Sequence, residues 1–426
     1  MTQTPATTDI SEDVKIVMAG HIDHGKSTLL GRLLYETGSL SDETAAALAA
    51  IADTGGEERA FAYVLDHLAE ERSGNITIDT AQVVLRMHGR HYVLIDAPGH
   101  KEFVRNMVTG ASQADAAMLI VAANEGVREQ TRRHLNLLAM IGVRRVIVSV
   151  NKMDKVLYSR LIFDHIRGDL ARNAGRLGAM DVTFVPMSAQ RGENLIRRCG
   201  KTPWYTGPTL VEAMAQLRPS RPVRDLLVMP VQDVYGADGG QGTVAGRVES
   251  GLLSVGSRVG VYPDGPPAKV EAIETFKGPV TSAGEGWCVG VKLAIDGGGE
   301  AIRRGQVIGP ADRRLAASGK GAARLFWMSH APLAEGAKFT LHCATQAAQC
   351  TVKAIRQRID SATLDPIEIG HAPGSSAQEA QYTDIVEAEL LMEPAIIHLP
   401  FSELPELGRF TLSLDKEVCA GGVFAD

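Results

Sequence analysis

The sequence predicts an α/β domain with a mostly parallel sheet and helices on both faces, followed by two smaller β domains. Three observations predict it. Near-continuous apolar runs alternate with helical patterns from Val14 to about Ala215. Prolines mark a change of texture at Pro219-Ser220-Arg221-Pro222, and short glycine-punctuated strands follow. Strands buried on both faces read as unbroken apolar runs, and Val14 to Ala19, Tyr92 to Ile95, Ala116 to Val121 and Val146 to Val150 are of this kind. Beyond the prolines, runs such as Thr243 to Val248 read as a barrel or sandwich reaching about Pro310. A Gly/Ala-rich stretch from Ala316 to Ala323 opens a second β-rich segment that runs to Asp426. The expected divisions are a disordered polar tail over 1–13, a nucleotide domain over 14–218, and β domains over 219–314 and 320–426.

Bulk properties agree with several domains, since 426 residues exceed one ordinary hydrophobic core. The formal charge of −6, from 44 Lys+Arg against 50 Asp+Glu, gives no footprint of a general nucleic-acid binder, DNA included, although the average can hide a local basic face. Five cysteines lie scattered without CxxC spacing, which argues against a disulfide framework or a zinc site. No run of about 18 apolar residues is present, so no membrane span is expected and a cytoplasmic location is.

The chemistry begins at Gly20-His21-Ile22-Asp23-His24-Gly25-Lys26-Ser27, which matches G-x-x-x-x-G-K-[ST] between a strand and a helical run. Glycines let backbone N–H groups approach phosphate oxygens, and the helix N-terminus adds partial positive charge. On this reading Asp23, His24, Gly25, Lys26, Ser27 and Thr28 hold the phosphates; Lys26 reaches the β and γ groups, and the Ser27 hydroxyl ligates Mg²⁺. Asp96-Ala97-Pro98-Gly99-His100 closes the strand Tyr92 to Ile95. There Asp96 suits a Mg²⁺ carboxylate, Gly99 an N–H donor to the γ-phosphate, and His100 the orientation of water. Thr77, in Gly74-Asn75-Ile76-Thr77-Ile78-Asp79, suits a Mg²⁺ ligand that engages only while the γ-phosphate is present.

Asn151-Lys152-Met153-Asp154 ends the strand Val146 to Val150, and Asn151, Lys152 and Asp154 are expected to read the guanine base. A carboxylate at Asp154 can accept from N1–H and the 2-amino group of guanine, which adenine cannot offer. Ser188 and Ala189 follow the next strand and would back the base with N–H groups.

The order GHIDHGKS, ITID, DAPGH, NKMD and SAQ resembles the translation-factor GTPases. Within them the chain resembles elongation factor 1-alpha and the GTPase subunit of heterodimeric ATP sulfurylase, which implies a P-loop GTPase domain and two antiparallel β-barrels. It also implies GTP or GDP as bound nucleotide, and a hydrophobic gate at Ile22 and Ile76 that restrains His100. The segment Tyr63 to Arg72 matches the extended first switch of that pair, and Pro203 to Leu210 resembles the sulfurylase subunit. Leu407-Gly408-Arg409-Phe410 is closer to elongation factor 1-alpha. The family's R-G-I-T is Gly74-Asn75-Ile76-Thr77 here, and Asp23-His24 makes the phosphate loop the elongation-factor type.

Charge is the remaining discriminator. From Lys320 to Asp426 there are 8 Lys+Arg and 14 Asp+Glu, a balance of −6 that disfavours tRNA on the last domain. The resulting expectation is a regulatory subunit that couples GTP hydrolysis to adenylylsulfate synthesis by a separate adenylyltransferase catalytic subunit in a heterodimer or higher assembly. The alternative is an elongation factor 1-alpha-like GTPase acting with aminoacyl-tRNA or on ribosomes.

Overall fold

A run of β-branched and aliphatic side chains with no polar interruption can only be satisfied between two packed layers, and this is where the first strands lie. The computed structural model describes residues 13–21, 23–40, 82–87, 89–96, 114–178, 180–218, 225–236, 242–295, 301–367 and 379–425. They fall into two compact units, one covering Met1–Ser220 with Ser361–Leu364, the other Arg221–Asp360 with Asp365–Asp426.

In the first unit the strands are β1 (Val14–Gly20), β2 (Gln82–Met87), β3 (Arg90–Asp96), β4 (Ala116–Ala122), β5 (Arg145–Asn151) and β6 (Asp181–Pro186). They form one sheet in the order β2-β3-β1-β4-β5-β6. Pairing is parallel except between β2 and β3. All seven residues of β4 are buried, as its unbroken apolar run requires. By contrast β2 alternates exposed and buried residues because it is the sheet edge and packs on one face only. The chain order reverses at β1, which is flanked by β3 and β4, so a crevice opens at the carboxyl end of β1.

Helices α1 (Lys26–Glu36), α2 (Glu129–Met140), α3 (Arg160–Arg176) and α4 (Leu210–Gln216) cover the sheet. Leu29, Leu30, Leu33 and Leu34 of α1 pack in one core with Val14, Ile16 and Met18 of β1, and Leu210, Val211 and Met214 of α4 join them. Helix α2 packs against β1 and β4, and α3 against β6. The start of α4 is fixed by a capping box: the Thr209 hydroxyl accepts from Glu212 N, while Thr209 N donates to the Glu212 carboxylate at 2.9 Å.

The second unit holds two antiparallel barrels. The first uses β7 (Met229–Tyr235), β8 (Thr243–Arg247), β9 (Leu252–Ser254), β10 (Arg258–Tyr262), β11 (Ala268–Thr275), β12 (Gly278–Val280), β13 (Ser282–Gly284), β14 (Cys288–Ile295) and β15 (Val307–Pro310). Its main sheet runs β10-β15-β7-β8-β14-β11-β12, and pairing of β10 with β11 closes it. The second uses β16 (Ala317–Trp327), β17 (Lys338–Cys343), β18 (Gln346–Asp360), β19 (Pro366–Ile367), β20 (Asp384–Ile397), β21 (Arg409–Leu414) and β22 (Glu417–Phe424). Its order is β17-β21-β22-β16-β20-β18-β19, closed by β17 against β18. These are the barrels that the family resemblance implies; glycine turns alone leave a sandwich open.

Each barrel has its own core, but a third cluster joins them. Val228, Tyr262, Val307 and Leu315 pack with Ile397, Leu404 and Leu407. This seam explains why the two barrels cluster as one unit. Among the described residues no helix is long and apolar enough to cross a membrane. The five cysteines are free thiols; Cys343, Cys350 and Cys419 are buried in the second barrel, where burial pushes Cys343 and Cys350 up to about 12.

Leu407 is fully buried in the shared seam. Leu407→Ala is therefore expected to lower the unfolding free energy of the barrel unit by about 2–5 kcal/mol, read by urea denaturation. A loss under about 1 kcal/mol would mean that the seam collapses around the smaller side chain.

Candidate functional site

The phosphate loop leaves β1 under tight steric control. A Cβ on Gly20 would stand 2.8 Å from the Ile120 carbonyl oxygen, so β1 and β4 can pair this closely only with glycine there. Gly25 adopts φ +89°, and a Cβ on it would meet the Asn151 side-chain amide at 2.5 Å. Both the left-handed turn and the close approach require glycine. Asp23 is also left-handed, at φ 64°. Helix α1 then starts at Lys26, with Leu29 N bonded to Gly25 O at 2.9 Å, and its first N–H groups face out of the helix end.

Asn151, at the end of β5, ties this loop to the others. Its side-chain Nδ2 donates to the His24 carbonyl at 2.9 Å, and its Oδ1 accepts from Ala189 N at 2.9 Å. Lys152 takes a left-handed turn at φ 61°, and its Nζ donates to the Asp23 carbonyl oxygen. Met153 N then bonds Met187 O at 3.1 Å, locking the 153–156 turn beside the 187–189 loop. Asp154 lies in this turn with its carboxylate 3.9 Å from Arg191 Nε, and Ser188 is buried behind it. The loop itself is propped from below. The Tyr158 hydroxyl donates to Glu193, Lys201 Nζ reaches the same carboxylate at 2.8 Å, and Trp204 Nε1 donates to the Tyr158 carbonyl at 3.1 Å. Burial and then Glu193 push the Tyr158 phenol up to about 12.

The structure thus brings together Asp23, His24, Gly25, Lys26, Ser27, Thr28, Asn151, Lys152, Asp154, Ser188 and Ala189 at one end of the sheet. Asp96 ends β3, with its backbone in register with Met18 of β1, so it closes the same edge. Ile22, Ile76, Thr77, Gly99 and His100 lie outside the described residues, as does the Asp96 side chain. Asn151 has a role that its sequence reading does not contain: its amide ties two loops together, with a second Nδ2 hydrogen left for a base.

Spacing gives no warning of what lies beneath the loop. The His24 ring is fully buried, with Nδ1 3.1 Å from the Ile120 carbonyl oxygen and Nε2 3.5 Å from Glu125. His134 of α2 is also buried; burial first, then Lys26 and Arg133, push it down to about 3.

Three family models match the chain. The elongation factor Tu GTP binding domain covers residues 11–220, elongation factor Tu domain 2 covers 241–309, and the GTP-eEF1A C-terminal domain-like model covers 320–425. Curated relatives include elongation factor 1-alpha of Methanosphaerula palustris, 34% identical with 96% of each chain covered. That of Halobacterium salinarum is 37% identical over 96% of this chain and 97% of its own. A solved structure of Sup35 complexed with GMPPNP aligns at 24% identity and TM-score 0.44, covering 97% of this chain and 94% of that one.

These full-length relatives overturn the expected sulfate adenylyltransferase role and its adenylyltransferase partner. The residues that suggested them serve the fold of the chain itself. Trp204, in the sulfurylase-like segment, packs on Phe163 with ring centroids 5.2 Å apart and props the base loop. In the acidic last barrel, Arg324 pairs with Glu387, Lys353 and Arg356 with Glu389, and Arg358 with Asp384. These pairs leave the −6 excess as it was, and that balance is a sum over the whole barrel that does not show which face a partner meets.

His134 also sets a pH dependence. In the unfolded chain it titrates near 6.5, so between there and about 3 the unfolded chain binds the extra proton. Stability from this group is complete above pH 6.5 and is lost as pH falls, by about 1.4 kcal/mol per pH unit. Urea midpoints measured from about pH 6.5 to about 4.5 are expected to fall, and to fall less steeply in His134→Gln; equal slopes would remove His134 as the cause.

Proposed function

The chain belongs to the translation-factor GTPases, in the elongation factor 1-alpha group, and from that premise we propose that it is a GTP-driven switch working with aminoacyl-tRNA at the ribosome. The observation that carries the nucleotide reading is the Asn151 tie, which holds the phosphate loop and the base loop in one site.

GTP lies along the carboxyl edge of the sheet. Its phosphates meet the N–H groups of the 20–28 loop and the amino end of α1, and Lys26 reaches the β and γ groups. Asp154 accepts from N1–H and the 2-amino group of guanine, with Ser188 and Ala189 behind the base. Ser27, Thr77 and Asp96 are oxygen donors that would hold Mg²⁺, which would supply charge neutralisation at the phosphates. Gly99 N–H marks the presence of the γ-phosphate, and His100 orients water for in-line attack. Ile22 and Ile76 restrain His100 until a partner docks. Domain divisions at 218 and near 315 give the switch its three parts, and a cytoplasmic location follows from the partners.

Asp154→Asn tests the base reading. An amide there donates where a carboxylate accepted, so GDP affinity is expected to fall about 100-fold or more while xanthosine diphosphate gains. Unchanged preference for guanine would remove Asp154 from base recognition.

The GTPase rate of the isolated protein is expected below about 1 per second, with at least about a tenfold rise on ribosomes carrying aminoacyl-tRNA. A rate that ribosomes and tRNA leave unchanged would overturn the translation role without touching the nucleotide site.

A further inference from the structure

The phosphate loop carries two imidazoles whose surroundings the GTPase reading does not use. His24 is fully buried, and its Nδ1 lies 3.1 Å from the Ile120 carbonyl oxygen. A carbonyl only accepts, so Nδ1 holds the ring proton and Nε2 presents a lone pair. That lone pair is turned toward the Glu125 carboxylate, 3.5 Å away, and has no hydrogen-bond donor among the described residues. With the ring proton on Nδ1, the buried Nε2 and the carboxylate are two acceptors facing each other. A cation between them would remove the conflict.

His21 stands beside the pair, its ring centroid 5.3 Å from that of His24 and tilted by 44°. One ligand atom from each of His21, His24 and Glu125 lies within 4.8 Å of the others. Zinc bonds of ~2.0–2.2 Å in a tetrahedron set ligand atoms about 3.3–3.6 Å apart. The His24–Glu125 separation already meets that spacing, and His21 closes it by a side-chain shift of about 1 Å. Two imidazoles and a carboxylate are a zinc-type set and a poor one for Mg²⁺ or Ca²⁺, which take oxygen. The Ile120 carbonyl on Nδ1 is the outer hydrogen bond that fixes a ligating histidine's tautomer.

We infer that His21, His24 and Glu125 form a binding site for one zinc-class divalent cation beneath the phosphate loop, separate from the Mg²⁺ of hydrolysis. Three protein ligands leave the fourth position to water. Arg128 Nε lies 3.8 Å from the same Glu125 oxygen and competes with the ion for it. Bound, the ion ties the start of the phosphate loop to the turn after β4, stiffening the loop against opening.

The test uses the full-length protein, stripped with a chelator and titrated with Co²⁺ and then Zn²⁺. One equivalent of Co²⁺ should bind with the visible absorption of a tetrahedral nitrogen–oxygen site, lacking thiolate charge-transfer bands, and Zn²⁺ should displace it. Glu125→Gln and His21→Asn should each weaken Co²⁺ binding at least about tenfold. Glu125→Gln, outside the phosphate loop, is checked for retained GDP binding and thermal unfolding, and Zn²⁺ should raise the melting temperature of the parent but of neither variant. A Cys199→Ser, Cys288→Ser double variant should bind as the parent does. Absence of stoichiometric Co²⁺ binding, parent-like affinity in the site variants, or loss of binding in the cysteine variant would each overturn the site.

Discussion

One side-chain amide holds the nucleotide site together. Asn151 is buried at the end of β5, donating to the His24 carbonyl and accepting from Ala189 N. An amide has a donor and an acceptor on opposite corners, so it can bridge two loops that share no backbone pairing. Both bonds are sheltered from water, and losing the side chain would orphan a carbonyl and an N–H together. The bridge also dictates its surroundings: Gly25 must be glycine because the amide occupies the space of a Cβ. Three loops from three strand ends thereby become one rigid surface without any covalent link.

Electrostatics beneath that surface are tuned by burial. His24 and His134 both lie below their ordinary pKa because the interior penalises the charged ring. Neutral rings near Lys26 leave its positive charge to the phosphates rather than adding repulsion around it. The same interior makes the His24–Glu125 contact conspicuous, since acceptor facing acceptor persists only with a proton or an ion between them.

Much of this is legible in the sequence, for identifiable reasons. Val14 to Ala19 and Ala116 to Val121 announce central strands because burial on both faces leaves no room for alternation. The GHIDHGKS, NKMD and SAQ segments announce loops because each ends a strand with residues that only a phosphate or base would select. The edge strand β2 escapes such a reading, since its alternation is short and Val84 is half exposed. Asn151 reads as a guanine contact, but spacing cannot show that its amide also ties two loops together. The expected partner is wrong because a net charge sums over a whole domain and does not show which face a partner meets. Glu125 under His24 is invisible in the sequence, because only the β1–β4 pairing brings it there.

The seam of Val228, Tyr262, Val307, Ile397, Leu404 and Leu407 has a consequence for how this architecture can be taken apart. Each closed barrel has satisfied its own backbone, so in principle each is a free-standing module. The seam denies them that independence, because separating them would turn a contiguous apolar strip on both halves toward water. A recombination or truncation that carried off one barrel would produce a protein that is folded yet adhesive. The pair is thus the smallest unit that can be transplanted, even though each half looks complete on its own.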